Sequence, residues 1–181
     1  MKIISGEHRG RKLAKFNISH IRPTSEIVKS AIFSSIQFII GGSDFLDLFG
    51  GTGSVGLEAL SRGANSVFII DNNADSIKLI KKNNELAGGN AQIIFASFDK
   101  AIQQFSKKNI KFDIIFLDPP FDSNLGEQAI DLIYKNNILK PEGIIIFEFR
   151  KDKILKLNDY CEIVKEKKYG IKKVVFISLN K

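Results

Sequence analysis

Runs of branched and aromatic residues recur along the chain, separated by stretches in which apolar positions fall at helical spacing. The runs at residues 45–48, 66–70, 91–95, 112–117, 144–149, 162–167 and 173–178 predict strands, and residues 25–39, 55–61, 74–86, 99–105 and 125–134 predict helices. Alternation of the two is the pattern of an α/β protein with a mostly parallel sheet. The run at 112–117 is nearly all apolar, as a strand covered on both faces should be. Within 74–86, Ile77, Leu79, Ile80 and Leu86 form an expected apolar side, Lys78, Lys81 and Lys82 face outward, and Gly88-Gly89 ends the helix. No helical pattern separates the last two strands. Tyr169-Gly170-Ile171-Lys172 can close a hairpin there, which makes the final strand antiparallel. Ahead of the sheet, residues 1–24 read as a short, basic, loosely structured arm, and Arg22-Pro23 introduces the first helix with Thr24 or Ser25 as N-cap. The expectation is one domain over residues 1–181, made of that arm and a core from residue 25.

Composition narrows the function classes. A chain of 181 residues that is 44% hydrophobic can bury a sizeable core. It has no apolar run near the roughly 20 residues that span a bilayer. The first nine residues lack the apolar block of a signal peptide. Cys161 is the single cysteine, so internal disulfides and cysteine metal clusters are excluded and a reducing cytoplasm is the expected location. Cys161 is expected to be a buried small residue on a late strand. His8 and His20 have no metal-ligand partners in sequence, so no metal is expected. The net charge of +7 is unevenly spread. Residues 1–29 carry seven Lys/Arg against two Asp/Glu, residues 30–149 ten against fourteen, and residues 150–181 ten against four. Basic ends around a mildly acidic middle suggest a polyanionic partner, RNA or DNA, over the plainer reading of solvated lysines.

The chemistry concentrates in two motifs. The first is Asp47-Leu48-Phe49-Gly50-Gly51-Thr52-Gly53, in which Gly51, Gly53 and Gly56 satisfy G-x-G-x-x-G between a strand and a helix. Alone, such a match also fits a glycine-rich turn that binds nothing. Asp71 strengthens it, because it ends the next strand about 20 residues on, where a carboxylate can bind ribose hydroxyls. Asp47 separates the candidate cofactors: its negative charge suits the ammonium and sulfonium of S-adenosylmethionine and opposes the pyrophosphate of NAD. The loop lacks the Lys-Ser/Thr of a nucleotide-hydrolase P-loop.

The second motif is Asp118-Pro119-Pro120-Phe121, directly after the apolar strand and therefore at the carboxyl edge where open α/β sheets bind ligands. The prolines fix φ and donate no hydrogen bonds, so the Asp118 carboxylate and the Pro119 carbonyl form a rigid acceptor pair suited to an amino group. Phe121 offers a face on which a splayed-out base can stack. Hydrogen bonds to Asp118 and Pro119 would localise the lone pair of a base's amino nitrogen and orient it for in-line attack on a sulfonium methyl. The tetrapeptide alone also fits an ordinary strand-terminating turn. C5-methylation of pyrimidines is disfavoured because it needs a cysteine nucleophile, and Cys161 lies outside every motif.

With these residues in place, the chain resembles the RsmD family, bacterial methyltransferases that modify the N2 amino group of a guanine in small-subunit (16S) ribosomal RNA. The resemblance runs through Ile4-Ser5-Gly6, Arg9-Gly10-Arg11-Lys12-Leu13, Arg22-Pro23-Thr24, the glycine loop, Gly56-Leu57-Glu58-Ala59-Leu60-Ser61-Arg62-Gly63-Ala64, Asp118-Pro119-Pro120-Phe121 and Lys168-Tyr169-Gly170. It implies a Rossmann-like class I methyltransferase fold, with a seven-stranded, mostly parallel sheet, a C-terminal antiparallel hairpin and a short basic N-terminal extension. It implies S-adenosyl-L-methionine held by Asp47, Phe49, Gly50, Gly51, Thr52, Gly53, Gly56, Asp71, Asn72, Ser97 and Phe98, with S-adenosyl-L-homocysteine as product. Asp118, Pro119, Pro120 and Phe121 would hold the target guanine, and Arg9, Arg11, Lys12, Arg22 and Thr24 would meet RNA. The implied partner is ribosomal RNA within an assembling or assembled 30S particle, met by a monomer with no membrane contact. Three positions depart from the family: Asp71 stands for the usual Glu, Asn73 for an Asp, and the adenine-contacting acid or amide falls near Ser97, with Asp99 two residues on. Lys165, Lys167, Lys168, Lys172 and Lys173 could extend an RNA surface or guard an edge strand against aggregation.

Rival readings are an amino-methyltransferase for another RNA or for DNA adenine or cytosine, an NAD-dependent oxidoreductase, and a non-catalytic RNA-binding assembly factor that keeps the cofactor pocket. The DNA enzyme would need a recognition insertion for which the chain leaves little room.

Overall fold

The computed structural model describes residues 1–15, 25–120 and 123–180. Along the chain run α1 (Glu26–Ser35), β1 (Asp44–Asp47), α2 (Ser54–Ser61), β2 (Ser66–Asp71), α3 (Ala74–Ala87), β3 (Gln92–Phe95), α4 (Phe98–Lys107), β4 (Phe112–Leu117), α5 (Leu125–Lys135), β5 (Leu139–Arg150), β6 (Cys161–Tyr169) and β7 (Lys172–Leu179). Among the described residues the strands form one sheet in the order β3-β2-β1-β4-β5-β7-β6. The first five are parallel, while β7 runs antiparallel between β5 and β6. This is the expected mixed sheet with its closing hairpin. Gly170 opens the two-residue connection at φ +58°, a conformation that costs glycine little.

Alternation along the parallel strands builds two apolar layers. Phe45, Val67, Ile69, Ile114, Phe116 and Ile146 pack under α1, α2 and α3. Leu46, Phe68, Ile70, Ile115, Leu117, Ile145 and Phe147 pack under α4 and α5. Each helix presents a stripe to one layer, as Ala101, Ile102 and Phe105 of α4 do. Among the described residues no helix is long and apolar enough to cross a membrane.

Four expectations change. The first helix stops at Ser35, four residues early, and Ile36 and Ile40 turn back into the core while Phe38 stays in solvent. Leu86 lies 48% exposed because the buried stripe of α3 runs Ile77, Ile80, Asn83, Ala87, with the amide of Asn83 in the place expected for an apolar group. Cys161 is half-buried, since it opens β6 at the sheet edge. The arm is not loose over residues 1–15: Lys2 bridges Lys12, Ile3 and Leu13 enter the core, and the turn packs on α2. Ser25 is the N-cap of α1, its Oγ accepting from Val28 N at 3.3 Å, and Thr24 lies outside the described residues.

Glu58 fastens the N-terminal turn. Its carboxylate, fully buried on α2, accepts from Ile4 N at 2.8 Å and Ser5 N at 3.0 Å and pairs with Lys29 Nζ at 3.2 Å and Arg62 Nε at 2.8 Å. Burial drives the Lys29 ammonium down, and Glu58 opposes that shift. Glu58→Ala strands a buried lysine and two backbone amides, so we expect a loss of about 3–5 kcal/mol in urea unfolding.

Candidate active site

Strand register brings four carboxylates to one edge. Asp47 pairs with Ile69 of β2 and Phe116 of β4, and Phe116 pairs with Ile146 of β5. Two residues beyond each partner stand Asp71, Asp118 and Glu148, and alternation returns each to the same face as Asp47. The acidic groups therefore line the carboxyl ends of β2, β1, β4 and β5, on the side covered by α1, α2 and α3.

The glycine loop is fixed by its own hydrogen bonds. Gly50 N donates to Ile70 O at 2.7 Å, Gly53 N to Gly50 O at 2.7 Å, Gly51 N to Asp71 Oδ2 at 2.8 Å and Gly56 N to Asp47 Oδ2 at 3.1 Å. Gly53 caps α2 at φ +76°, and a Cβ on Gly56 would sit 2.7 Å from Ile69 Cγ1. Glycine is therefore required at these two positions by conformation and by close approach respectively. Thr52 is buried, its carbonyl accepting from Asn83 Nδ2 at 2.9 Å, while Asn83 Oδ1 accepts from Ala14 N at 2.7 Å. Asn83 thus joins the N-terminal turn to the glycine loop. Its one sequence signal is an amide inside the apolar stripe of α3.

Asp47 is 1% exposed, and its Oδ1 has no hydrogen-bond partner among the described residues. Burial, reinforced by the Asp71 carboxylate, pushes the Asp47 carboxyl up to about 7 from an ordinary 3.8, against the amides of Gly56 and Phe49. Burial also raises Asp71, opposed by the amides of Asn73 and Gly51.

A cavity of about 480 Å³ opens over these strand ends. It is lined by Leu48, Phe49 and Gly51 of the glycine loop, by Asp71, Asn72, Asn73 and Ser76, by Ala96, Ser97 and Phe98, and by Asp118, Pro119, Pro120 and Leu125. The Phe49 and Phe98 rings meet at 5.6 Å between centroids. Ser97 lines the cavity and Asp99 does not; the Ser97 hydroxyl bonds Asp99 and holds that carboxyl below its usual range. The two motifs, far apart in sequence, thus share one space.

Other expected site residues stand elsewhere. Asp47, Gly50, Thr52, Gly53 and Gly56 are not among the residues that line the cavity; Asp47 shapes the loop through Gly56 N, and Gly50, Gly53 and Gly56 pack closely on Ile69 and Ile80. Arg9 borders a separate hollow of about 560 Å³ between the N-terminal turn and α1. The Arg11 guanidinium donates to Ala87 O at the end of α3, where a cation offsets the helix dipole, and Lys12 is exposed. Arg22, Thr24 and Phe121 fall outside the described residues. Sequence reasoning missed Lys153, whose Nζ donates to Ser123 O and Glu127 Oε2, both at 2.7 Å. Ser123 Oγ in turn donates to Pro120 O at 2.6 Å, so Lys153 is linked through Ser123 to the second proline.

The family model described as Conserved hypothetical protein 95 matches residues 1–178. The chain is 40% identical over 174 residues to the ribosomal RNA small subunit methyltransferase D of Haemophilus influenzae, covering 94% of this chain and 90% of that protein. The protein of the same name from Escherichia coli is 36% identical over 149 residues, covering 82% and 74%. The solved structure of yhhF from Escherichia coli superposes with a TM-score of 0.86 at 28% identity, covering 99% of this chain and 98% of that one.

Proposed function

The chain belongs to the RsmD family, that of the matching Conserved hypothetical protein 95 model, and from this premise we propose that it is a methyltransferase acting on the N2 amino group of a guanine in small-subunit ribosomal RNA. The observation that carries the reading is the shared cavity, lined both by glycine-loop residues with Asp71 and by Asp118, Pro119 and Pro120.

The donor is S-adenosylmethionine, which supplies an electrophilic sulfonium methyl when bound. The residues fit it: Asp47, buried beneath the glycine loop rather than on the cavity surface, has an oxygen without a donor among the described residues that an ammonium reaching past the loop would match, and Asp71 lines the cavity at the strand end suited to a ribose. Phe49, Asn72, Ser97 and Phe98 would enclose the adenosine. Asp118 and the Pro119 carbonyl accept from the target amino group and turn its lone pair toward the methyl. Positive charge growing on that nitrogen in the transition state is met by the Asp118 carboxylate. The nitrogen then sheds its extra proton to Asp118 or to solvent. Phe121 would stack on the base.

Arg9, Lys12, Arg22 and Thr24, with the basic C-terminal residues, would meet the RNA backbone, which carries no base information but fixes register. Arg11 joins them less fully, because its guanidinium already serves α3. The reading extends to a monomer in the cytoplasm working on an assembling or assembled 30S particle. Labelled S-adenosylmethionine incubated with small ribosomal particles from cells lacking the protein should place label on one guanine N2. Label on DNA, on protein or on a pyrimidine would overturn the reading.

A further inference from the structure

The register that ends β4 at Leu117 pairs that residue with Phe147 of β5, so Asp118 and Glu148 follow as neighbours on adjacent strands. Parallel strands run about 4.8 Å apart, and both residues return to the face occupied by Phe116 and Ile146. Glu148 is fully buried and is not itself among the residues that line the cavity; it stands one strand over from Asp118, which is. Its Oε1 meets the ammonium of Lys172 at the start of β7, while Oε2 has no hydrogen-bond partner among the described residues. A fold rarely leaves a buried carboxylate oxygen without a donor unless something else supplies one. Burial pushes the Glu148 carboxyl up, and the Lys172 ammonium opposes that shift.

Guanine carries N1–H beside its N2 amino group, so its Watson–Crick edge presents donors at both atoms. With Asp118 and the Pro119 carbonyl engaged by the amino group, the adjacent N1–H calls for an acceptor on the next strand. Building on the function proposed above, we propose that Glu148 is the specificity-determining residue for guanine, its Oε2 accepting N1–H of the target base. A base with a lone pair at that position, such as adenine at N1 or cytosine at N3, would face a carboxylate with no proton between them, an arrangement strongly disfavoured in a water-poor site.

The analogue 2,6-diaminopurine tests this contact: it keeps the 2-amino group and replaces N1–H with a lone pair, and because it also exchanges O6 for an amino group, the response of Glu148→Gln is what assigns the effect to N1. Once the modified position has been mapped, 30S particles carrying guanine or diaminopurine there serve as paired substrates. The wild type is expected to prefer guanine by roughly 100-fold in kcat/KM. Glu148→Gln should shrink that preference at least about tenfold, because its amide N–H can donate to the analogue's N1. Affinity for S-adenosylmethionine, read by calorimetry, should stay within about threefold, since the loop's own hydrogen bonds do not involve Glu148. A wild type that treats both bases alike overturns the assignment whatever the variant does. So does a Glu148→Gln protein that slows on both equally or loses the cofactor. A wild type that methylates no guanine overturns the proposed function itself, a separate result.

Discussion

Asp118→Ala should reduce kcat for methyl transfer by roughly 10²–10³-fold and leave the dissociation constant for S-adenosylmethionine within about threefold. The split follows from where the carboxylate stands. Asp118 lines the cavity from the strand next to the one that leads into the glycine loop, and that loop is held by Asp47, Asp71 and its own backbone. Removing Asp118 takes away one of the two acceptors assigned to the target amino group and the charge that meets the developing cation. Asp118→Asn keeps an acceptor oxygen without the charge and should recover part of the loss. Single-turnover rates at saturating RNA, with calorimetry of cofactor binding, separate these effects. Equal losses in both variants and in cofactor affinity would mean that Asp118 only shapes the fold.

The second large effect concerns Asp47. Its carboxyl holds its proton to about pH 7 in the folded protein and releases it near 3.8 when unfolded. The native state therefore binds more protons between those values. Stability is greatest below about pH 4 as far as this group is concerned, and it is lost as pH rises toward 7, by on the order of 4 kcal/mol. Asp47→Asn removes that dependence, so the unliganded variant should be the more stable protein at pH 8. The same substitution removes the charge proposed to meet the cofactor's ammonium, and affinity for S-adenosylmethionine should fall about 10- to 100-fold at pH 8. Wild-type affinity should itself decline below pH 7, as binding must displace the proton, whereas the variant's should stay flat. Urea unfolding and calorimetry across pH 5–8 read both trends, and a variant that is destabilised at pH 8 would contradict them.

Both predictions concern residues visible in the sequence, and the reason is geometric. A residue that ends an apolar parallel strand is delivered to the carboxyl edge by the strand itself, so Asp47, Asp71 and Asp118 could be placed before any packing was known. Glycines at 53 and 56 were equally legible, because a left-handed cap and a close helix–strand approach admit little else. What stayed hidden depends on contacts between distant segments. Nothing local in Glu58 says that it will be buried against Lys29 and the amides of Ile4 and Ser5. Asn83 reads as a blemish in an apolar stripe until Ala14 and Thr52 appear on either side of it. Lys153 sits in an unpatterned connection, and only the fold brings it to Ser123. Periodicity also overran the end of α1, since Ile36 and Ile40 are buried by a turn that keeps their spacing without the helix.

A bisubstrate compound offers the most direct test that donor and target occupy one space. In it, guanosine N2 is tied by a two-carbon link to the nitrogen of an aza analogue of S-adenosylmethionine, and its binding is titrated by calorimetry against S-adenosylhomocysteine. The shared cavity predicts a dissociation constant at least about 100-fold lower for the joined molecule, with most of that gain lost in Asp118→Ala. Binding no tighter than that of S-adenosylhomocysteine would contradict the account.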